Sequence, residues 1–254
     1  MTKQVKTLDK KQPSRNKSLT VMVLYPARMS AYGDQGNLLA LKHRAKLHGY
    51  DTKVVLHKPG AKFDEKVDII LGGGGQESDR SAVLDDLSKI GPKLKKLADS
   101  GTPMLVICGM YQLFGNYFLT QSGDKLTGVG IFDTYTEDNP KRLIGNIITK
   151  SDKLGLLIGY ENHSGLTYFN QGQAALARVK KGAGNNGRDR TEGARTSNVF
   201  GSYLHGSILP MNPRLTDELI RLAAVKKYGE FSPNDRIDDS LTEKARRAAQ
   251  KRSR

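Results

Sequence analysis

Apolar and polar positions alternate in blocks along the first 112 residues. The run LTVMVLYP (19–26) is apolar and of strand length. In GNLLALKHRAKLHGY, Leu38, Leu39, Leu41, Ala45 and Leu47 recur at helical spacing, and Gly49 closes the segment. TKVVLHK predicts a second strand, and VDIILGGGG a third that ends in four glycines. SAVLDDLSKIGPKLKKLADSG predicts one or two helices, and PMLVI a fourth strand. Short apolar runs alternating with helical periodicity predict an α/β protein with a doubly wound, mostly parallel sheet covered on both faces.

The pattern changes after residue 125. From there to about residue 187 the strands are shorter and are separated by Gly, Asn and Asp turns, which predicts antiparallel additions to the sheet. SNVFGSYLHG predicts a last strand ending at His205. NPRLTDELIRLAAVKKYG predicts a helix that starts at Pro213. No repeat and no linker interrupts the pattern, so one domain is expected over 19–235. A basic flexible tail (1–18) precedes it, and a basic C-terminal helix or tail (236–254) follows.

Charge adds less than its total suggests. The net charge is +15, but residues 1–18 hold six Lys/Arg against one Asp, and residues 243–254 hold six against one Glu. Basic ends of this kind read as solvated tails, so no nucleic-acid function is expected. A basic adaptor acting on nucleic acid or membrane is the least favoured alternative. No apolar stretch approaches the roughly 20 residues that span a bilayer, and the amino-terminal tail has no apolar segment of the secretory kind. The single cysteine excludes an intramolecular disulfide and a cysteine zinc cluster. It fits a reducing cytoplasm, with weak electrostatic attraction to the inner membrane face left open.

Ligands of open parallel sheets bind beyond the carboxyl ends of the strands. Three unusual features fall there: Gly72–Gly75, Cys108–Gly109 and His205. A strand that stops at Cys108 and turns directly into a helix, YQLFGNYFL, has the form of a nucleophile elbow. It frees the Gly109 amide for a developing oxyanion, and the helix N-terminus is expected to lower the thiol pKa. The alternative is a buried structural cysteine. Such a nucleophile needs a base that can also protonate a departing amine. His205 is favoured by position, with His163 in GYENHSG as its competitor. His43 and His48 read as part of a solvated helix face, and His57 as the start of a loop. The four glycines lack the Lys-Ser/Thr of a phosphate cradle. They are expected to pass close to a substrate and donate a second oxyanion amide.

Taken together, the segments YGDQGNLLALKHRA, DIILGGGG, ICGMYQLFG, TGVGIFDTYTEDNPKRLIGN, GYENHSGLTYF and GNNGRDRTEGARTSNVFGSYLHGSILPMNP resemble the class I, triad-type glutamine amidotransferases. Within that class they are most similar to the GatD family, the glutaminase subunits of lipid II isoglutaminyl synthase, related to the amidotransferase domains of cobyric acid synthases. The resemblance spans roughly residues 19–235 and implies a class I glutamine amidotransferase-like fold. It implies that Cys108 attacks the glutamine carboxamide, that Gly109 with Gly74 or Gly75 holds the oxyanion, and that His205 is base and then acid. It further implies that Gln112, Asn162 and Arg142 contact glutamine, with Arg142 suited to pair with the α-carboxylate. No cofactor or metal is expected in this chain. ATP and Mg are expected on a MurT-like Mur-ligase synthetase subunit, which would form a heterodimer with it and handle lipid II, giving D-isoglutamine for peptidoglycan synthesis. A cobyric acid-type amidotransferase or another cysteine hydrolase is the alternative.

Two departures from the class pattern stand out. Ser207 occupies the place of the usual triad glutamate, leaving Asp34, or an acid from the partner, as candidate third member; Asp34 also suits a helix N-terminus. Met110 stands where relatives often have glycine, which is expected to tighten or displace the elbow.

Overall fold

The computed structural model describes residues 17–205 and 207–253, so nearly all of the expected tail 1–18 lies outside the described residues. The first half alternates strand and helix: β1 (Lys17–Leu24), α1 (Gln35–Leu47), β2 (Tyr50–His57), β3 (Ile69–Gly72), α2 (Glu77–Asp99), β4 (Met104–Ile107) and α3 (Gly109–Phe114). Short strands follow: β5 (Tyr117–Leu119), β6 (Lys125–Thr127), β7 (Thr134–Glu137), β8 (Leu143–Ser151), β9 (Gly155–His163), β10 (Leu166–Phe169), β11 (Ala177–Lys181), β12 (Thr191–Glu192), β13 (Ala194–Thr196) and β14 (Val199–Ser202). The chain ends in α4 (Ile208–Met211), α5 (Pro213–Tyr228) and α6 (Ser240–Lys251).

The main sheet has the order β13-β14-β4-β3-β1-β2. All its pairings are parallel except β13 with β14. Every residue of β3, β4 and β14 is buried, which requires cover on both faces and explains why these strands are uninterrupted apolar runs. Most of the short strands do not extend this sheet. They form two further four-stranded sheets, β10-β7-β5-β6 and β12-β11-β8-β9. Their alternating burial explains the separation, since a strand with one polar face cannot enter a sheet covered on both sides.

Other local differences have simple causes. Residues 77–99 form one helix with Pro92 inside it rather than two. The helix after Cys108 stops at Phe114, because Gly115 adopts an extended conformation and starts the path into β5. His48 is not on a solvated face: its side chain is 4% exposed and bonds Asp217 at 2.9 Å. Nor does His57 begin a loop. It ends β2, buried, and shares Asp86 Oδ2 with the Tyr25 hydroxyl, each at 2.8 Å. That cluster fixes the start of the segment joining β1 to α1, which carries Tyr32 and Asp34. Residues 240–251 are helical and are held to the body by Arg246, which donates to the carbonyls of Met211 and Leu156.

Candidate active site

The segments that follow β1, β3 and β4 meet at one cleft of about 530 Å³, lined among others by Tyr32, Gly75, Arg80, Cys108, Gln112 and Arg142. Cys108 has φ 49° and ψ −108°, a strained conformation for a residue with a side chain. This is the elbow expected from the sequence. It is over-determined by its neighbours: the Cys108 amide donates to the Ser202 carbonyl of the adjacent strand end at 2.9 Å, and the Gln112 amide donates to the Cys108 carbonyl, also at 2.9 Å. Met110 does not displace it. The Met110 side chain is fully buried over Gly72, where a Cβ would lie 3.1 Å from its Cγ, so the bare backbone of Gly72 supplies the room the larger residue needs.

His205 lies beyond the end of β14, fixed by an antiparallel bridge in which its amide donates to the Tyr160 carbonyl at 2.7 Å. Its position relative to Cys108 is read at Gly74. A Cβ on Gly74 would be 3.2 Å from Cys108 Cβ, His205 Cε1 and Tyr32 Cδ2 alike. Cysteine and histidine thus flank one glycine on the same side of the sheet. Tyr32 lies over the imidazole with ring centroids 4.5 Å apart. His163 also lines the cleft but is otherwise engaged: it stacks on Tyr203 at 3.6 Å, and its Nδ1 meets the Gly165 carbonyl at 2.7 Å. A carbonyl only accepts, so Nδ1 carries the proton there.

The glycine loop divides its amides between two tasks. The Gly74 amide donates to Asp34 Oδ2 at 2.8 Å and is therefore spent. The Gly75 nitrogen is 3.2 Å from the point a Cβ on Gly109 would occupy, so the Gly75 amide lies against Gly109. Of the two glycines expected to hold an oxyanion, Gly75 has the free donor and Gly74 makes room between Cys108 and His205.

Asp34 fills neither role expected for it. Its side chain makes no helix-cap bond, and it orders the glycine loop rather than the imidazole. Both nitrogens of His205 are buried without a hydrogen-bond partner, so among the described residues no acid completes a triad. Ser207 instead donates to the Gly33 carbonyl at 2.7 Å.

Electrostatics departs from the sequence expectation in one respect. Burial pushes the Cys108 thiol up to about 12, against the opposing pull of Arg80, the Gly109 amide and Arg142. A six-residue helix does not offset that desolvation. Burial, with a further push from Arg142, lowers His205 to about 4. The resting pair is thus a neutral thiol beside a neutral imidazole. Asp34, also buried, is raised to about 6.

Arg142, Asn162 and Gln112 all line the cleft. Arg142 donates from Nε to Asn162 Oδ1 and from Nη2 to the Asn162 carbonyl, each at 2.9 Å, and from Nη2 to the Tyr32 hydroxyl at 3.3 Å. Asn162 therefore aims the guanidinium. Gln112 has both ends of its amide engaged, accepting from Arg80 at 3.2 Å and donating to the Tyr203 hydroxyl at 3.1 Å. Sequence reasoning missed Tyr32 and Arg80. Tyr32 is the first residue of the segment YGDQGNLLALKHRA, where no feature of the sequence marks it out, and nothing in the sequence separates Arg80 from the other cations.

Residues 20–213 match the CobB/CobQ-like glutamine amidotransferase domain. Over 219 residues the chain is 40% identical to the lipid II isoglutaminyl synthase (glutamine-hydrolyzing) subunit GatD of Staphylococcus aureus (strain N315), covering 85% of this chain and 89% of that protein. The chain belongs to the GatD family. The GatD subunit of Streptococcus pneumoniae (strain ATCC BAA-255 / R6) is 36% identical over 228 residues, covering 89% of this chain and 88% of that one. More distantly, a probable cobyric acid synthase of Methanopyrus kandleri is 28% identical, covering 73% of this GatD-family chain and 39% of that protein. In fold, the chain resembles the structure of PurLQS from Thermotoga maritima, with a TM-score of 0.55 at 16% identity, covering 81% of this chain and 98% of that one.

Proposed function

We propose that the chain is the glutamine-hydrolysing subunit of a lipid II isoglutaminyl synthase, using Cys108 as nucleophile and His205 as proton carrier. The observation that carries this reading is the meeting of a strained Cys108 and an unpartnered His205 across Gly74, next to Gly75 and Gly109. The family membership supports the reaction class, and the cobyric acid synthases, lower in identity and matched over a smaller share of their length, fit less well.

In this reading the α-carboxylate of glutamine takes Arg142, which Asn162 holds in place. As Cys108 Sγ bonds to the carboxamide carbon, its proton passes to His205, and the carbonyl electrons move to an oxygen held by the Gly75 and Gly109 amides. The C–N bond then breaks, His205 returns the proton to nitrogen, and ammonia leaves. Water activated by the same imidazole cleaves the thioester to glutamate. Sequestering the ammonia requires a second subunit. By resemblance this is a MurT-like synthetase carrying ATP and Mg, which amidates the D-glutamate α-carboxylate of lipid II, and ATP on the partner would place the pair in the cytoplasm. Among the described residues no helix is long and apolar enough to cross a membrane. The chain's own cleft needs neither group for the hydrolytic step.

The test is ammonia release from L-glutamine by the full chain, alone and with its synthetase partner. Cys108→Ala and His205→Ala should each abolish it. Wild-type ammonia release by Cys108→Ala would end the reading.

A further inference from the structure

Arg80 is a charged side chain for which the cleft, not the fold, accounts. It is 7% exposed, in the first turn of α2, and lines the cleft with Cys108 and Gln112. Its guanidinium lies 4.4 Å over the Phe118 ring and donates from Nη1 to Gln112 Oε1. Its Nε is buried with no hydrogen-bond partner, and among the described residues no carboxylate pairs with it. A buried cation without a counter-charge carries a desolvation penalty that packing alone does not repay. The missing anion must come from the site. Asp138 lines the same cleft but makes no ion pair with Arg80, and in the reading above Arg142 takes the carboxylate of glutamine, which leaves the negative charge that develops during the reaction.

We propose that Arg80 is the fixed counter-charge for the anion that forms on Cys108 Sγ and then passes to the carbonyl oxygen during attack. Its Cγ lies 3.5 Å from the point a Cβ on Gly109 would occupy, beside the amides that receive that oxygen. The groups that act on the thiol are Arg80 from α2, Asp34 ahead of α1, the Gly109 amide of α3 and Arg142 ahead of β8; the Tyr203 hydroxyl and His205 follow β14. Of these charges, Arg80 opposes the burial of the thiol most strongly. Phe118 and Gln112 hold the guanidinium where a flexible chain would otherwise fold it away. Arg80 thus acts through Cys108 as a positioning residue, and it deepens the glutaminase reading on which it rests.

Cys108 is the single cysteine, so alkylation by iodoacetamide reads its thiolate directly. At pH 8–9, well below the thiol midpoint, the rate is proportional to the thiolate fraction. Removing an opposite charge at close range should move the midpoint by about one unit or more, so Arg80→Met in the full chain should be alkylated about tenfold more slowly. Arg80→Lys should recover most of the rate, and Lys89→Met, an exposed cation of the same helix, should leave it unchanged. Arg80→Met should also melt no lower than wild type, because it removes an uncompensated buried charge. An unchanged alkylation rate in Arg80→Met, or equal slowing in Arg80→Lys, overturns the proposal. So does a raised KM for glutamine with an unchanged alkylation rate, which would make Arg80 a substrate-carboxylate contact. If Arg80→Met and Arg80→Gln both fail to fold, the residue is structural and the proposal is wrong. If alkylation responds as described but the wild type with its partner releases no ammonia, the glutaminase reading fails and the role of Arg80 stands.

Discussion

Asp34→Asn separates the electrostatic cost of the glycine loop from its geometry. Asp34 holds the Gly74 amide through Oδ2 while Oδ1 is buried with no partner. Burial raises its pKa from 3.8 to about 6, and the Gly74 amide opposes the rise. A raised carboxyl pKa means that the folded chain binds more protons than the unfolded chain between those two values. Stability therefore falls as pH rises through that window. Each unit of displacement corresponds to about 1.4 kcal/mol, so ionised Asp34 costs roughly 3 kcal/mol above pH 7 and little near pH 4. Asparagine keeps a carbonyl oxygen for Gly74 and cannot ionise. Relative to the variant, the wild type should lose roughly 2 kcal/mol between pH 4 and pH 8. Urea unfolding of both proteins across that range measures it, because a constant offset from the buried amide cancels. A difference that stays flat to within about 0.5 kcal/mol, or that grows in favour of the wild type as pH rises, would refute the reasoning.

Other consequences are more local. Gly109→Ala should lower kcat for glutamine hydrolysis by about a hundredfold or more with the fold intact, because its Cβ would enter the space of Met29 Cε and crowd the Gly75 amide; near-normal kcat would exclude this pair of amides as the oxyanion site. Arg142→Lys should raise KM for glutamine by roughly tenfold, since an ammonium cannot reproduce the forked contacts to Asn162 and carboxylate together; an effect confined to kcat would contradict that role. Arg246→Ala should lower unfolding stability by about 2 kcal/mol, measured in urea, because the carbonyls of Leu156 and Met211 lose their charged donor.

Much of this was legible in the chain pattern because parallel strands buried on both faces write themselves as plain apolar runs. IILG and MLVI are buried at every position and sit where the sequence placed them. The elbow was legible for the same reason: Cys108 interrupts such a run at a glycine. Partnering was not. Whether Asp34 caps a helix, orients His205 or binds Gly74 depends on where a loop 40 residues away passes, and no local signal encodes that. His48 looked solvated and His57 looked like the start of a loop because their acids, Asp217 and Asp86, are remote in sequence. Arg80 escaped notice for a related reason: what distinguishes it is a missing partner, and absence has no motif.

The placement of Tyr32 has an optical consequence. The chain contains no tryptophan. Tyr32→Trp would introduce the sole indole at the cleft wall, against the face of His205. A protonated imidazole quenches indole emission and a neutral one does so far less. Excited at the red edge of its absorption, where the tyrosines do not absorb, that one indole would report the proton on His205 through each turnover.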